Sequence, residues 1–131
     1  MKGIRFVPTW LHAYFDYIGG IVLIAAPFVF GFFNQGGPQV VIPMVLGVVL
    51  ILYSLLTNYE LGIPALRFIP MAGHLIVDFL AAAFLAASPF IFGFYTKSPN
   101  VWLPHLIAGV AVILLVLVSQ THAFAKTRAL A

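Results

Sequence analysis

Asp16 and Asp78 are the residues of this chain whose type and place most invite chemistry. They are the only acidic side chains inside its long apolar stretches, and each follows a histidine by four residues, His12 and His74 respectively. Four residues make about one helical turn, so each His and its Asp share a helix face and can touch. An ionised Asp at the centre of a membrane span costs about 2.5–3.5 kcal/mol on insertion scales; these two sit about two turns in from an end, where the cost is smaller but real. Three uses of such residues are compatible with the spacing. The first, which we adopt, is a hydrogen-bonded ion-pair network that staples helices together, because polar groups in lipid need partners and such networks set helix register. The second is handling of protons or a small cation, by a carboxylate beside a histidine that titrates near neutrality. Against it, little that is polar lines the second and fourth stretches beyond Tyr53, Ser54 and, near the far end, His105. The third is a metal centre. His12, Asp16, His74 and Asp78 are suitable ligands, and Glu60 or His122 could add to them from the ends of the second and fourth stretches. The HxxxD spacing alone is too common to identify a metal.

Arg5 and Arg67 each lie seven residues before one of these histidines, just outside a proline, and their long side chains are expected to reach back toward the carboxylates. Glu60, in the segment TNYELG (57–62), is expected to pair with Arg67 or Arg5 in an ordered turn rather than to act in catalysis. His105 reads as a hydrogen-bonded histidine near an interface, and His122 as a cation suited to a helix C-terminus. Trp10, Trp102 and Tyr95 read as interfacial aromatic anchors. The chain has no cysteine, which excludes disulfides, thiol redox chemistry and thiolate metal sites. It has no nucleophile elbow, phosphate loop, HExxH pair or legible Ser-His-Asp arrangement. No catalytic residue and no cofactor is expected. Neither is a nucleic-acid partner, because no basic run or face interleaves with aromatics.

The elements that must hold these residues follow from composition. Of 131 residues, 63% are hydrophobic and 7% charged, against about 25% charged in an ordinary soluble domain. That is too little polar surface to cover a soluble globule, so the chain reads as an integral membrane protein with the lipid bilayer as its first partner. Crossing about 30 Å of hydrocarbon takes about 20 apolar residues. Four stretches qualify, at about 10–33, 40–57, 71–95 and 101–119. Their continuous apolar character argues for helices over the alternating strands of a barrel. Pro27 and Pro89 interrupt the first and third and are expected to kink them, with the tails FVFGFF (28–33) and FIFGFY (90–95) as bent helix or interfacial turn. Pro43 and Pro104 fall near helix starts, where a missing N–H is harmless. Lys2, Arg5, Arg67, Lys126 and Arg128 lie on one side of this arrangement and Lys97 alone on the other, which predicts both termini and the middle connector in the cytoplasm. The basic start and apolar run have the outline of a signal peptide. The run is too long, however, and Ala25-Ala26 is followed by Pro27, so it is expected to remain as an uncleaved first span.

Laid on itself at an offset of 62, the chain repeats: RFVPTWLHAYFD (5–16) falls on RFIPMAGHLIVD (67–78), and APFVFGFF (26–33) falls on SPFIFGFY (88–95). PQVVIP (38–43) then falls on PNVWLP (99–104) at an offset of 61. Each copy holds two spans, so both enter the membrane the same way, related by a pseudo-two-fold axis along its normal. Small residues after each pair, Gly19-Gly20 and 81–83, are expected to bring spans one and three together at that axis, with both His–Asp pairs facing inward.

The half-motifs APF (26–28) and SPF (88–90), together with TNYELG, the paired HxxxD motifs and WLPH (102–105), resemble the SPW-repeat integral membrane proteins over nearly the whole chain. Phe28 and Phe90 stand where the family name implies Trp, and Ala26 stands for Ser. The resemblance implies a small bacterial membrane protein of four helices, and it implies no activity. The expectation is one all-α domain over residues 1–131: a four-helix transmembrane bundle of two tandem helical-hairpin repeats, at about 5–60 and 67–122, in a bacterial inner membrane. Its expected role is non-enzymatic, as a scaffold or accessory protein that associates with itself or a larger membrane complex. A small proton or ion transporter is the alternative, and a metal-dependent membrane enzyme the third reading.

Overall fold

Four segments of high hydropathy become helices long and apolar enough to cross a bilayer: α1 (Thr9–Val29), α2 (Pro38–Leu55), α3 (Met71–Ile91) and α4 (Pro99–Val118). The structure, a computed structural model, describes residues 3–124. Lys2, Lys126 and Arg128, which carry part of the charge asymmetry, lie outside them. At about 1.5 Å per residue the longer helices reach about 32 Å, enough for the hydrocarbon core. The fold is an all-α four-helix bundle, and the protein is an integral membrane protein. Outward-facing Ile18, Val22, Leu80 and Leu114 are more than half exposed, as lipid-facing side chains should be.

Helices α1 and α3 stop four residues short of the expected ends, and glycine is the reason. Gly31 and Gly93 both adopt a φ of +76°, which other residues resist. After α1, Phe32 N–H donates to Pro27 O at 2.9 Å and Gly31 N–H to Phe28 O at 3.3 Å. This is the Schellman closure of a helix end. The aromatic tails are therefore turns, each containing a 3₁₀ segment (Phe33–Gln35 and Phe94–Thr96), and Pro27 and Pro89 lie inside the last turn of their helices. Pro38 and Pro99 occupy the first positions of α2 and α4, where no N–H is missed. Pro43 and Pro104 fall two residues further in than the sequence suggests, beyond the first turn of α2 and α4, so Pro43 leaves the Gln39 carbonyl without its helical donor. His105 Nε2 reaches that carbonyl at 3.0 Å. In the same way Pro89 frees Leu85 O, and Ser88 Oγ donates to it at 2.7 Å.

Packing is tightest within hairpins, α1 on α2 and α3 on α4. A Cβ on Gly47 would lie 2.6 Å from Gly20 O, and one on Gly109 would lie 2.6 Å from Ala82 O. The small residues Gly20 and Ala82 thus admit the partner helix of their own hairpin. They do not bring α1 against α3, as the sequence reading expected; between hairpins the main backbone approach is α2 to α3. Small residues let backbones approach closely, and the short connectors make the hairpin partner the helix that does so.

One end of the bundle gathers the N-terminal segment, the α2–α3 connector and the chain after α4. Val7 N–H donates to Val118 O at 3.0 Å and Gln120 N–H to Val7 O at 2.9 Å. Ile69 N–H donates to Leu56 O at 3.0 Å and Asn58 N–H to Ile69 O at 2.7 Å. The two sets involve residues 62 apart. Each ties the lead-in of one helix (α1 or α3) to the end of another (α4 or α2). Those ties set where the first turns of α1 and α3 begin.

Candidate functional site

Pro8 and Pro70, both extended, precede the first residues of α1 and α3. One turn further in come His12 and His74, and one turn beyond them Asp16 and Asp78, on the faces that also bury Ala13 and Leu75. All four polar side chains are buried; the two histidines are fully so. Each His touches the Asp of its own helix: His12 Nε2 lies 3.2 Å from Asp16 Oδ1 and His74 Nε2 lies 3.1 Å from Asp78 Oδ2. Each also crosses to the other hairpin, with His12 Nε2 2.9 Å from Asp78 Oδ2 and His74 Nε2 2.9 Å from Asp16 Oδ2. The two rings meet edge to face, 5.4 Å between centroids.

Hydroxyl groups fix the tautomers. Ser119 Oγ gives its one proton to Leu115 O at 2.6 Å, so toward His12 Nδ1, 2.7 Å away, it acts as acceptor. Thr57 Oγ1 likewise donates to Tyr53 O at 2.7 Å and accepts from His74 Nδ1 at 2.8 Å. Both Nδ1 atoms therefore carry hydrogen, and Nε2 is the atom each ring turns to the carboxylates. Two tyrosines complete the carboxylates' partners: Tyr59 donates to Asp16 Oδ2 at 2.7 Å and Tyr53 to Asp78 Oδ1. Tyr59 lies in the connector, outside the spans. Burial, then the charge of Asp16, pushes its hydroxyl above the ordinary value of 10.0 and keeps it a donor.

The other sequence candidates lie apart from this cluster. Arg5 does not reach the carboxylates; its Nη1 donates to Val116 O at 3.0 Å and Ser119 O at 2.6 Å. Val116 O also accepts from the C-cap Ser119 N–H at 3.4 Å; both carbonyls lie at the end of α4, where a cation suits the helix C-terminus. Arg67 Nη2 donates to the Glu60 and Gly62 backbone oxygens at 3.2 and 3.3 Å. The Glu60 carboxylate pairs with neither arginine. It accepts from Thr9 Oγ1 at 2.7 Å and from Phe124 N–H at 3.2 Å, tying the start of α1 to the connector and to the segment after α4. His105 is buried at the opposite end, against Phe32 and Phe94. His122 is exposed and away from the cluster.

Four residues of the cluster were not among the sequence candidates: Tyr53, Thr57, Tyr59 and Ser119. Thr57 and Ser119 carried a signal, since both are hydroxyl residues, 62 apart, just past an apolar stretch. A cavity of about 380 Å³, almost wholly apolar, lies toward the opposite end, mainly between α1 and α4, so it does not serve the cluster. A smaller one, about 60 Å³, touches Asp78 and Tyr53. One ligand atom from each of His12, Asp16, His74 and Asp78 falls within 4.8 Å of every other, so these four are the described residues that could hold a metal ion.

Residues 9–119 match the SPW repeat domain. The chain belongs to the SPW repeat family. No curated protein and no solved structure matches it. In this SPW repeat protein the Ser of Ser88-Pro89 has a visible local task, donating to the carbonyl that its neighbouring proline frees. Ala26 cannot do the same beside Pro27. Phe28 and Phe90 are both more than half exposed, on the lipid side.

Proposed function

We propose that this protein is a small non-enzymatic membrane scaffold or accessory protein, with the His12, Asp16, His74 and Asp78 cluster as the clamp between its two hairpins. The observation that carries the reading is the crossed pairing, His12 with Asp78 and His74 with Asp16, between helices whose backbones do not pack closely. Tyr53 from α2, Thr57 and Tyr59 just beyond it, and Ser119 at the end of α4 join the same cluster, so every helix contributes to one buried point. In lipid, apolar contact alone holds helices weakly, and a shared polar centre fixes register. The transport reading gains less support: between Asp78 and the far end lie Leu23, Leu46, Leu85 and Val112.

The test is thermal or denaturant stability in detergent of wild type against the Asp16→Asn, Asp78→Asn double variant. The two carboxylates accept hydrogen bonds from His12, Tyr53 and Tyr59 and face His74. At about 0.6 and up to about 1.7 kcal/mol for each hydrogen bond in a membrane protein, with an Asn keeping part of the acceptor capacity, the loss comes to roughly 1–3 kcal/mol. Unchanged or raised stability contradicts the clamp.

We place the cluster end in the cytoplasm of a bacterial inner membrane, because Arg5 and Arg67 lie there and Lys97 lies at the other end. The cysteine-free chain allows clean labelling of single Cys probes at Leu66 and Lys97. Labelling of both from the same face of the membrane contradicts the arrangement. The apolar outer faces suit lipid, a second copy of the chain or the helices of a larger membrane complex.

A further inference from the structure

We propose that the buried cluster is a structural site for one divalent transition-metal ion of the zinc type, bound by His12 Nε2, His74 Nε2 and one oxygen each of Asp16 and Asp78. The inference rests on the clamp reading and adds a ligand to it. Three independent features support it. The first is spacing. Zinc holds nitrogen and oxygen ligands at about 2.0–2.2 Å in a tetrahedron, which sets neighbouring ligand atoms about 3.3 Å apart. Each Nε2 lies 2.9–3.2 Å from an oxygen of both carboxylates, and one ligand atom from each of the four residues falls within 4.8 Å of every other, so a side-chain adjustment in which the closest atoms part and the farthest draw in admits the ion.

The second feature is the orphaned nitrogen. His74 Nε2 is fully buried and close to both carboxylates, yet it meets the geometry of a hydrogen bond with neither. A buried polar atom without a partner is uncommon, and a ligand lone pair is one explanation. The third feature is the outer set. Metal-binding histidines normally donate their other ring N–H to a fixed acceptor, and ligand carboxylates are themselves hydrogen-bonded. Here Ser119 and Thr57 hold both Nδ1–H groups, while Tyr59 and Tyr53 donate to the carboxylates.

Charge and donor type select the ion. Two carboxylates and two neutral imidazoles carry a charge of −2, which one divalent cation cancels in a low-dielectric interior. Calcium and magnesium prefer six or more oxygen donors, whereas a mixed nitrogen and oxygen tetrahedron suits zinc. Four protein ligands leave no open position, which marks a structural site and not a catalytic one. The competing occupant is a pair of protons on the Nε2 atoms, which restores the same neutrality without metal.

The test uses the full chain, purified in mild detergent without a histidine tag, stripped with chelator and titrated with Zn²⁺ alone. We expect one ion per chain by elemental mass spectrometry. With Co²⁺ as probe, we expect the intense visible absorption of a tetrahedral site. The His12→Gln, His74→Gln variant should lose both. Tyr59→Phe, which leaves every ligand in place, should weaken Zn²⁺ binding by about 10–100-fold. Substoichiometric binding by wild type overturns the proposal. So does binding that survives in the double His variant, which marks an adventitious surface ion, or an unchanged affinity in Tyr59→Phe. The metal-free proteins separate this from the clamp. If the Asp variants are destabilised but no metal binds, the clamp stands and the metal falls. If metal binds but the metal-free Asp variants match wild type, the hydrogen-bonded clamp falls and the metal site stands.

Discussion

Replacing Thr57 by Val isolates the step on which the site's geometry turns, the tautomer of His74. Thr57 is fully buried, and Val copies its shape without its hydroxyl. The substitution removes the acceptor that lies 2.8 Å from His74 Nδ1 and the donor that lies 2.7 Å from Tyr53 O. The carbonyl loses little, because Leu56 N–H still donates to it at 3.2 Å. The ring N–H loses its partner while buried, which costs about 1–3 kcal/mol in proteins generally. Side-chain hydrogen bonds in membrane proteins run lower, averaging about 0.6 and reaching about 1.7 kcal/mol. The expected loss is therefore about 1–2 kcal/mol, against less than about 0.5 for Thr57→Ser, which keeps the hydroxyl. Denaturant unfolding in detergent micelles, followed by circular dichroism, measures both. Nitrogen-15 chemical shifts of the histidine rings report the tautomer directly and should show hydrogen on Nδ1 of His12 and His74. A Thr57→Val protein as stable as wild type, or a His74 whose Nδ1 carries no hydrogen, would refute the reasoning.

Gly109→Ala should destabilise by about 1–3 kcal/mol in the same assay, because its Cβ would lie 2.6 Å from Ala82 O, Ala86 N and Ala86 Cβ, and the α3–α4 hairpin must spread to admit it. Ser88→Ala should cost about 1 kcal/mol by uncapping Leu85 O, while Ala26→Ser should cost little, since it supplies the same donor beside Pro27. The Tyr59 hydroxyl, held above its ordinary value of 10.0, stays protonated in the fold while the unfolded chain ionises near 10. Stability should therefore be intact below about pH 10 and fall as pH rises beyond it; base titration followed by tyrosinate absorbance should show Tyr59 ionising only with unfolding.

The helices and the polar face were legible because both are written locally. Apolar length specifies the spans, and the i,i+4 spacing puts His12 with Asp16 and His74 with Asp78. The crossing of partners between hairpins was not legible, since no local pattern says that His12 will meet Asp78. Arg5 misled for a related reason. Its length allowed it to reach the carboxylates, but the carbonyls of Val116 and Ser119 at the end of α4 lie nearer, and those appear only once α4 ends beside residues 5–7. Gly20 and Ala82 were recognised as points of close approach, but small residues do not name the helix that approaches. Pro43 looked harmless because the start of α2 was placed two residues late. Its true place, one turn in, explains why His105 is buried against Gln39 O.

The most direct measurement of the clamp is a double-mutant cycle across the hairpins, His12→Gln against Asp78→Asn, read as unfolding free energy in detergent. The two side chains meet at 2.9 Å and belong to different hairpins, so their effects should not add. A coupling of about 0.5–2 kcal/mol is expected. Additive effects, with coupling indistinguishable from zero, would mean that the crossed pairs do not hold the two hairpins together.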